Sequence, residues 1–511
     1  MRFLNLLAAC AFVAGTLRAQ AAPDSASPVY DLVIMNGRVM NPETRFDATA
    51  NVGISGGTIV RIATVPLAGR RTIDAAGLVV APGFIDILSY DPTPIGVWNK
   101  IADGVTTNLA MHGGSADPPA WYGAFERQHL PLNFGASFYY SAARSQLNLN
   151  RYQPASEEQI ARLTTVAERA LRQGALGVSF ALEYTPGISA EEIRPLMRLA
   201  RRYAVPVFFH ARFSDMVEPG TNIDALNEII GYATETGAAV HLDHITSTGG
   251  TFSMQQSLAL LQQARDAGVD ITACAYPYPF WATSLASARF DPGWQSRFRI
   301  SFGDLQLGGS SERLTEQSFR RYRGAAKLAV AYAIPEDDVA SALQSDLVML
   351  GSDAILEPGF NNHPRASGTF ARTLGRYARE RQVIPLMDAL AKMTIMPARR
   401  LERSTAAMRR KGRLSVGADA DITILDYRTI LDRATVEHPE FQSVGVEYVI
   451  VQGQIVKDPA GLHKGIRPGQ AIRNEIERSP IDVTSGTPPV LPPPGAQAGP
   501  TDSPSGTPQG R

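Results

Sequence analysis

Residues 205–248 read VPVFFHARFSDMVEPGTNIDALNEIIGYATETGAAVHLDHITST. Two short runs rich in Val, Phe and Ala each close on a histidine, His210 and His244. Between them, residues 222–237 repeat apolar side chains at helical spacing, which predicts a helix joining two strands. In a parallel αβ barrel the strand C-termini line the reacting face, so the two rings are expected to converge. Imidazoles on neighbouring strand ends are a common way to hold Zn²⁺. The plainer alternative is two unrelated histidines, one packed in the core and one on a loop. A third ligand-type side chain, Asp353, closes a later apolar run and favours the metal.

Outward from this unit the chain keeps alternating. Strand ends are expected near Asp86, Ala110, Tyr139, Leu182, Phe213, Ile245, Ala275 and Asp353, with helices between most of them, such as 157–173 and 190–203. About eight βα repeats predict a (β/α)8 barrel of the TIM type, over residues 81–411. The spacing breaks once: residues 286–344 are too long for one loop and carry helical runs of their own, which predicts a lid. Residues 30–80 form short β-rich runs broken by Asn36-Gly37 and Gly56-Gly57, the pattern of hairpins. A matching set returns at 412–460, so a small β-sandwich built from both chain ends is expected. Residues 485–511, rich in Pro, Gly and Ser without an aromatic, predict a disordered tail.

The first 21 residues have the form of a secretory leader. Arg2 supplies the positive end, Leu4 to Leu17 an apolar run too short to span a bilayer, and Ala19-Gln20-Ala21 a small-residue cleavage site. Export, with a periplasmic destination, is the expectation; Leu7-Ala8-Ala9-Cys10 offers a lipoprotein as the alternative. Cleavage after Ala21 leaves Cys274 as the one cysteine, so no internal disulfide is expected. Hydrophobic residues make up 44% of the chain, and 49 Lys and Arg balance 49 Asp and Glu. That composition fits a soluble globular protein and argues against nucleic acid or an anionic membrane surface as partner. A small-molecule substrate is the expected partner; the oligomeric state is not legible.

A hydrolytic metal needs fixed ligands and one open position for water, whose pKa it lowers to about 7. A nearby carboxylate can then move the proton to the leaving amine. Asp353, in GSDA after an apolar run, suits that role, although an aspartate there can also cap the next helix.

The runs PGFID (82–86), GVTT (104–107) and GALGVS (174–179) resemble the amidohydrolase superfamily. HPRASGTFARTLGRYARE (363–380), PARRL (397–401) and KGRLSVGADADITILD (411–426) narrow the resemblance to the N-acyl-D-amino-acid deacylases, or D-aminoacylases. The resemblance covers most of 30–456 and implies a metal-bearing barrel that hydrolyses linear amides. It also exposes departures. The family follows PGFID with His-x-His, where this chain has Leu88 and Tyr90. The family's metal-bridging cysteine is Gly113 here, with His112 beside it, and its lysine after the second histidine is Thr246. The usual two-metal ligand set is therefore excluded. A one-metal site remains, similar to that of some N-acetylglucosamine-6-phosphate deacetylases. The implied ligands for one Zn²⁺, or another divalent ion, are Glu183, His210 and His244, with His112 as the alternative third ligand and Asp353 as the base. The resemblance assigns Arg365 to the substrate carboxylate and Tyr278 to the scissile carbonyl, with Tyr184 a further pocket residue. Arg212 and Asp215 are expected to form a structural pair. Two functional classes stay open: a zinc-dependent hydrolase of N-acyl-D-amino acids or related carboxylated amides, and a barrel that binds without turnover.

Overall fold

The computed structural model describes residues 29–475. The leader, the lipobox alternative and the tail lie outside these residues. Eight parallel strands form one sheet: β1 (Phe84–Asp86), β2 (Val105–Ser115), β3 (Asn133–Tyr139), β4 (Val178–Ala181), β5 (Val207–His210), β6 (Val240–Leu242), β7 (Ile271–Ala275) and β8 (Val348–Leu350). Each pairs with its sequence neighbour, as in Val207 opposite Val178 and Val240. Strands covered on both faces read as apolar runs, which is why the sequence shows no clean alternation here. Ile85, Leu109, Met111, Phe208, Cys274 and Met349 form one apolar cluster, and Phe180, Val207, Phe209, Leu196 and Ile229 belong to another. Residues of β5 therefore divide by parity: Phe208 goes to the first cluster, Val207 and Phe209 to the second. His210 shares the parity of Phe208, so the pleat aims it at the barrel axis.

The barrel closes between β8 and β1 just past the strand ends. Asp353 N donates to Leu88 O at 2.6 Å, and Ser352 N to Asp86 Oδ1 at 2.9 Å. Lys100 Nζ completes the join by pairing with Asp86 and donating to Ser352 Oγ. All three side chains are buried. Gly351 is required at this seam, because a Cβ there would lie 2.6 Å from Leu88 Cβ. Gly351→Ala is expected to destabilise the fold by about 1–3 kcal/mol through overpacking. Urea unfolding checks this, and an unchanged midpoint would show that the seam yields.

The helices carry local start and stop signals. The one between β5 and β6, Asn222–Thr236, begins with a capping box from Thr221 and Asp224 and ends at Gly237 with φ +66°. Glu157–Arg172 and Ala190–Tyr203 begin with capping boxes at Ser156 and Ser189. Among the described residues no helix is long and apolar enough to cross a membrane.

Both chain ends contribute to one nine-stranded sheet, in which Val79–Pro82 pairs with Val29–Asn41 on one side and Ile422–Leu425 on the other. Its apolar core joins Ile34, Val52 and Ile73 to Ile422, Ile424 and Ile450. Gly56-Gly57 makes the expected turn, between Phe46–Ser55 and Thr58–Ala63. Asn36-Gly37 does not. It lies within the strand Val29–Asn41, where the pairing register shifts, with Asn36 at φ +60°. An Asn-Gly pair supplies left-handed backbone equally well to a bulge or a turn.

The expected insertion also has different bounds. Trp281–Ser284, Leu305–Leu307 and Leu328–Ala331 form a separate three-stranded sheet, so the insertion starts before residue 286. The helix Glu336–Gln344 packs on Met254–Asp266 and β8 as an ordinary barrel helix, and so lies outside it. The insertion has its own aromatic core, in which Phe290, Trp294, Phe302 and Phe319 meet edge to face or stacked.

Candidate metal centre

Three histidines meet at the C-terminal end of the barrel. His112, His210 and His244 are buried, and each offers a ring nitrogen within 4.8 Å of the other two. His210 Nδ1 lies 3.2 Å from His244 Nε2. Two nitrogens bound to one tetrahedral zinc at about 2.05 Å are about 3.3 Å apart, so this spacing fits one ion. The outward nitrogens are all occupied. His112 Nδ1 lies 2.9 Å from Asp243 Oδ2, and His210 Nε2 lies 2.9 Å from Glu183 Oε2. His244 Nδ1 is 3.1 Å from Ser247 Oγ and 3.3 Å from Thr248 Oγ1. A proton on each outward nitrogen leaves the inward lone pairs free for a cation, the arrangement that outer groups impose on ligating histidines. Burial, reinforced by neighbouring cationic groups, holds His210 well below its ordinary pKa. Burial and the other two imidazoles do the same to His244 against the pull of Asp353. Both are therefore neutral, as ligands must be. Burial also lowers His112, but the carboxylates of Asp353 and Asp243 outweigh it and leave that ring above its ordinary value.

The cluster of candidate ligands differs from the expected set at its third member. Glu183 Oε2 meets His210 at Nε2, whereas His210 faces His244 through Nδ1, and Glu183 is not one of the three clustered side chains. Its other oxygen accepts from Ser214 Oγ at 2.5 Å, and Arg289 Nε lies 3.4 Å from Oε2. His112 is the third member of that cluster. The β2–β3 ladder breaks between Ala110 and Ser115, and such a break re-aims side chains, which spacing alone does not reveal.

Asp353 faces the same point. Its Oδ1 is 3.8 Å from His112 Nε2 and 4.0 Å from His244 Nε2. Its Oδ2 accepts from Arg365 Nη1 at 2.8 Å. Burial favours the neutral acid, yet Arg365 and the imidazoles hold its carboxyl well below the usual carboxylate range. Asp353 and His244 sit at φ +53° and +25°. Left-handed backbone costs a non-glycine residue about 1 kcal/mol or more, and such strain gathers at functional sites.

The remaining predicted residues divide. Tyr184 packs its ring 4.5 Å from that of His210 and lines a cavity of about 400 Å³ with Tyr139, Thr185 and Ser287. Arg365 is buried, with its guanidinium 4.2 Å over the ring of Tyr276. Tyr278, expected at the scissile carbonyl, points elsewhere. Its hydroxyl approaches Gly368 in the helix Arg365–Arg372, and the Arg372 guanidinium lies 4.7 Å over its ring. Tyr276 borders the site instead, with its ring 6.1 Å from His244 and its buried hydroxyl without a hydrogen-bond partner. Tyr276 directly follows the last residue of β7, whereas Tyr278 lies beyond Pro277. Arg212 pairs with Glu228 at 2.8 Å rather than with Asp215. Thr246 is buried with its hydroxyl unpaired. Leu88 is fully buried beside Gly351, so carbon stands where the family's first-strand ligand would be.

Sequence reasoning missed Tyr90, Asp243 and Arg289. Tyr90 Oη donates to Asp353 Oδ1 at 3.2 Å. Asp243 directly precedes His244, a signal that was present. Arg289 comes from the insertion and had no local signal.

A model of the amidohydrolase family matches residues 102–457. An N-acyl-D-glutamate deacylase from Alcaligenes xylosoxydans xylosoxydans is 33% identical over 486 residues, covering 87% of this chain and 97% of the relative. The solved N-acyl-D-glutamate deacylase from Bordetella bronchiseptica, complexed with zinc and a phosphonate that mimics the tetrahedral intermediate, is 27% identical with a TM-score of 0.76. It aligns over 87% of this chain and 100% of its own. A D-aminoacylase structure concerned with the binuclear centre, one-metal activation and second-metal attenuation is 25% identical with a TM-score of 0.75, over 87% and 100% of the two chains. The chain therefore belongs to the amidohydrolase family, in its N-acyl-D-amino-acid deacylase branch.

Proposed function

We propose that the protein hydrolyses linear amide C–N bonds at a one-metal site, releasing the acyl group from N-acyl-D-amino acids or related small carboxylated amides. One observation carries this reading: three imidazoles present inward nitrogens to one point, each held from behind, with a carboxylate oxygen about equally far from two of them. His112, His210 and His244 would hold the ion. When bound, zinc or another divalent ion supplies a Lewis acid and makes hydroxide available at neutral pH. Asp353 Oδ1 takes the proton from the attacking water and gives it to the leaving amine nitrogen. Arg365, whose Nη1 holds Asp353 Oδ2 at 2.8 Å, is the cation proposed for the substrate carboxylate. Tyr276, whose ring lies 6.1 Å from His244 and whose buried hydroxyl has no hydrogen-bond partner, is a donor available to the scissile carbonyl. Leu88 supports a single ion, because its apolar side chain offers no second ligand. The leader-like first 21 residues support an exported, periplasmic enzyme.

The test is metal analysis of the purified protein with assays on N-acyl-D- and N-acyl-L-amino acids. The reading expects about one zinc per chain and turnover of the D series. Trace metal with no turnover on either series would leave a barrel that only binds.

A further inference from the structure

The segment after β1 brings Tyr90 to Asp353. The tyrosine is 36% exposed, at the edge of the site, and its ring meets that of His112 edge-on at 5.3 Å. Its hydroxyl donates at 3.2 Å to Asp353 Oδ1, the oxygen that faces His112 and His244. We infer that Tyr90 is a positioning residue for the proton carrier: its phenol fixes the rotation of the Asp353 carboxylate so that Oδ1 stays turned to His112 and His244.

The physical need is specific. The last torsion of an aspartate is broad and nearly two-fold, so one hydrogen bond does not set the carboxylate plane. Arg365 reaches only Oδ2, through one nitrogen. A second donor on Oδ1, from a different element, locks both oxygens. Asp353 also holds its strained φ of +53° where its own N–H is tied to Leu88 O at 2.6 Å. The two residues flanking Ser89 thus act on one aspartate: Leu88 through its carbonyl, Tyr90 through its phenol. Space for the ring comes from Gly113. A Cβ there would lie in van der Waals contact with the ring, 3.4 Å from Tyr90 Cδ1 and 3.9 Å from Cε1. Tyr90 and Gly113 together replace a pair of ligand positions by one donor.

The kinetic part of the test rests on the hydrolase reading above; the structural part does not. Tyr90→Phe keeps the ring and removes the donor. On an N-acyl-D-amino acid that the wild type turns over, Y90F is expected to lower kcat roughly 10- to 100-fold, the range for a hydrogen bond to a charged group. KM is expected to stay within about twofold, because the group acts on the proton carrier and not on substrate binding. The double variant Y90F/D353N should keep the residual rate of D353N, since Tyr90 works through Asp353. Wild-type kcat in Y90F, or losses that multiply in the double variant, would overturn the inference. Crystal structures of the zinc-loaded wild type and Y90F give a readout without turnover. Asp353 is expected to face the histidines in the first and to rotate in the second. An identical carboxylate orientation in both would overturn the inference even if no substrate is found. Absence of turnover in the wild type, with the rotation observed, would instead remove the hydrolase reading and leave Tyr90's role standing.

Discussion

Asp353→Asn is expected to lower kcat by roughly 10²- to 10⁴-fold while the ion stays bound, the range for a positioned proton carrier. The amide keeps the shape of the carboxylate: its one oxygen still accepts from Arg365 Nη1, and its NH2, in the place of Oδ1, donates to the Tyr90 hydroxyl, so the site should hold its form. It cannot take a proton from water, which is the step assigned to Oδ1. The substitution also removes the charge that faces a buried guanidinium at 2.8 Å. Breaking one partner of a buried pair costs about 3–5 kcal/mol when the other charge is left uncompensated. The loss should sit at the lower end here, because asparagine still accepts a hydrogen bond. The same pair gives the metal-free chain an acid-side dependence. A carboxyl held below its unfolded value stabilises the fold above about pH 4 and loses that contribution as pH falls further. Unfolding midpoints of the metal-free wild type and D353N between about pH 3 and 7 should therefore converge on the acid side. Parallel curves would mean that the Arg365 pair does not contribute, and unchanged kcat would remove Asp353 from the reaction.

The second large effect separates the two candidate third ligands. His112→Ala is expected to abolish stoichiometric zinc, because two imidazoles alone make a weak site and a catalytic zinc normally has three protein ligands. Glu183→Gln should instead keep the ion with affinity about 10- to 100-fold lower, the effect of losing an outer partner that orients a ligating histidine. Glu183 also lies 3.4 Å from the buried Arg289 of the insertion, which itself donates to Ser247 O at 3.0 Å. Loss of its charge should thus loosen the insertion as well as the metal. Titration of the metal-free variants with zinc decides the matter. Retention of one tight zinc in H112A with none in E183Q would restore Glu183 as the ligand.

The barrel was legible because its evidence is repetitive and local. Eight apolar runs recur along the chain, and the helices between them announce themselves by capping residues such as Ser189 and Thr221. His210 and His244 were legible for the same reason: each closes an apolar run, and strand parity aims His210 inward. The D-aminoacylase branch was legible in the long runs after residue 363. The loss of the first-strand ligands was also plain, since Leu88 cannot bind a metal in any conformation.

Local pattern could not decide what depends on where separate segments meet. His112 rather than Glu183 reaches the histidine pair because the β2–β3 ladder breaks after Ala110, a feature of pairing and not of either strand. Tyr276, not Tyr278, borders the histidines, on the other side of Pro277, and Tyr90 reaches the site only through an aspartate 263 positions away. Residue type and spacing by themselves determined the barrel, the two strand-end imidazoles and the family. Tertiary structure alone decided which third side chain shares their point, because convergence is set by bulges, turns and strand closure that act over distances no sequence window spans.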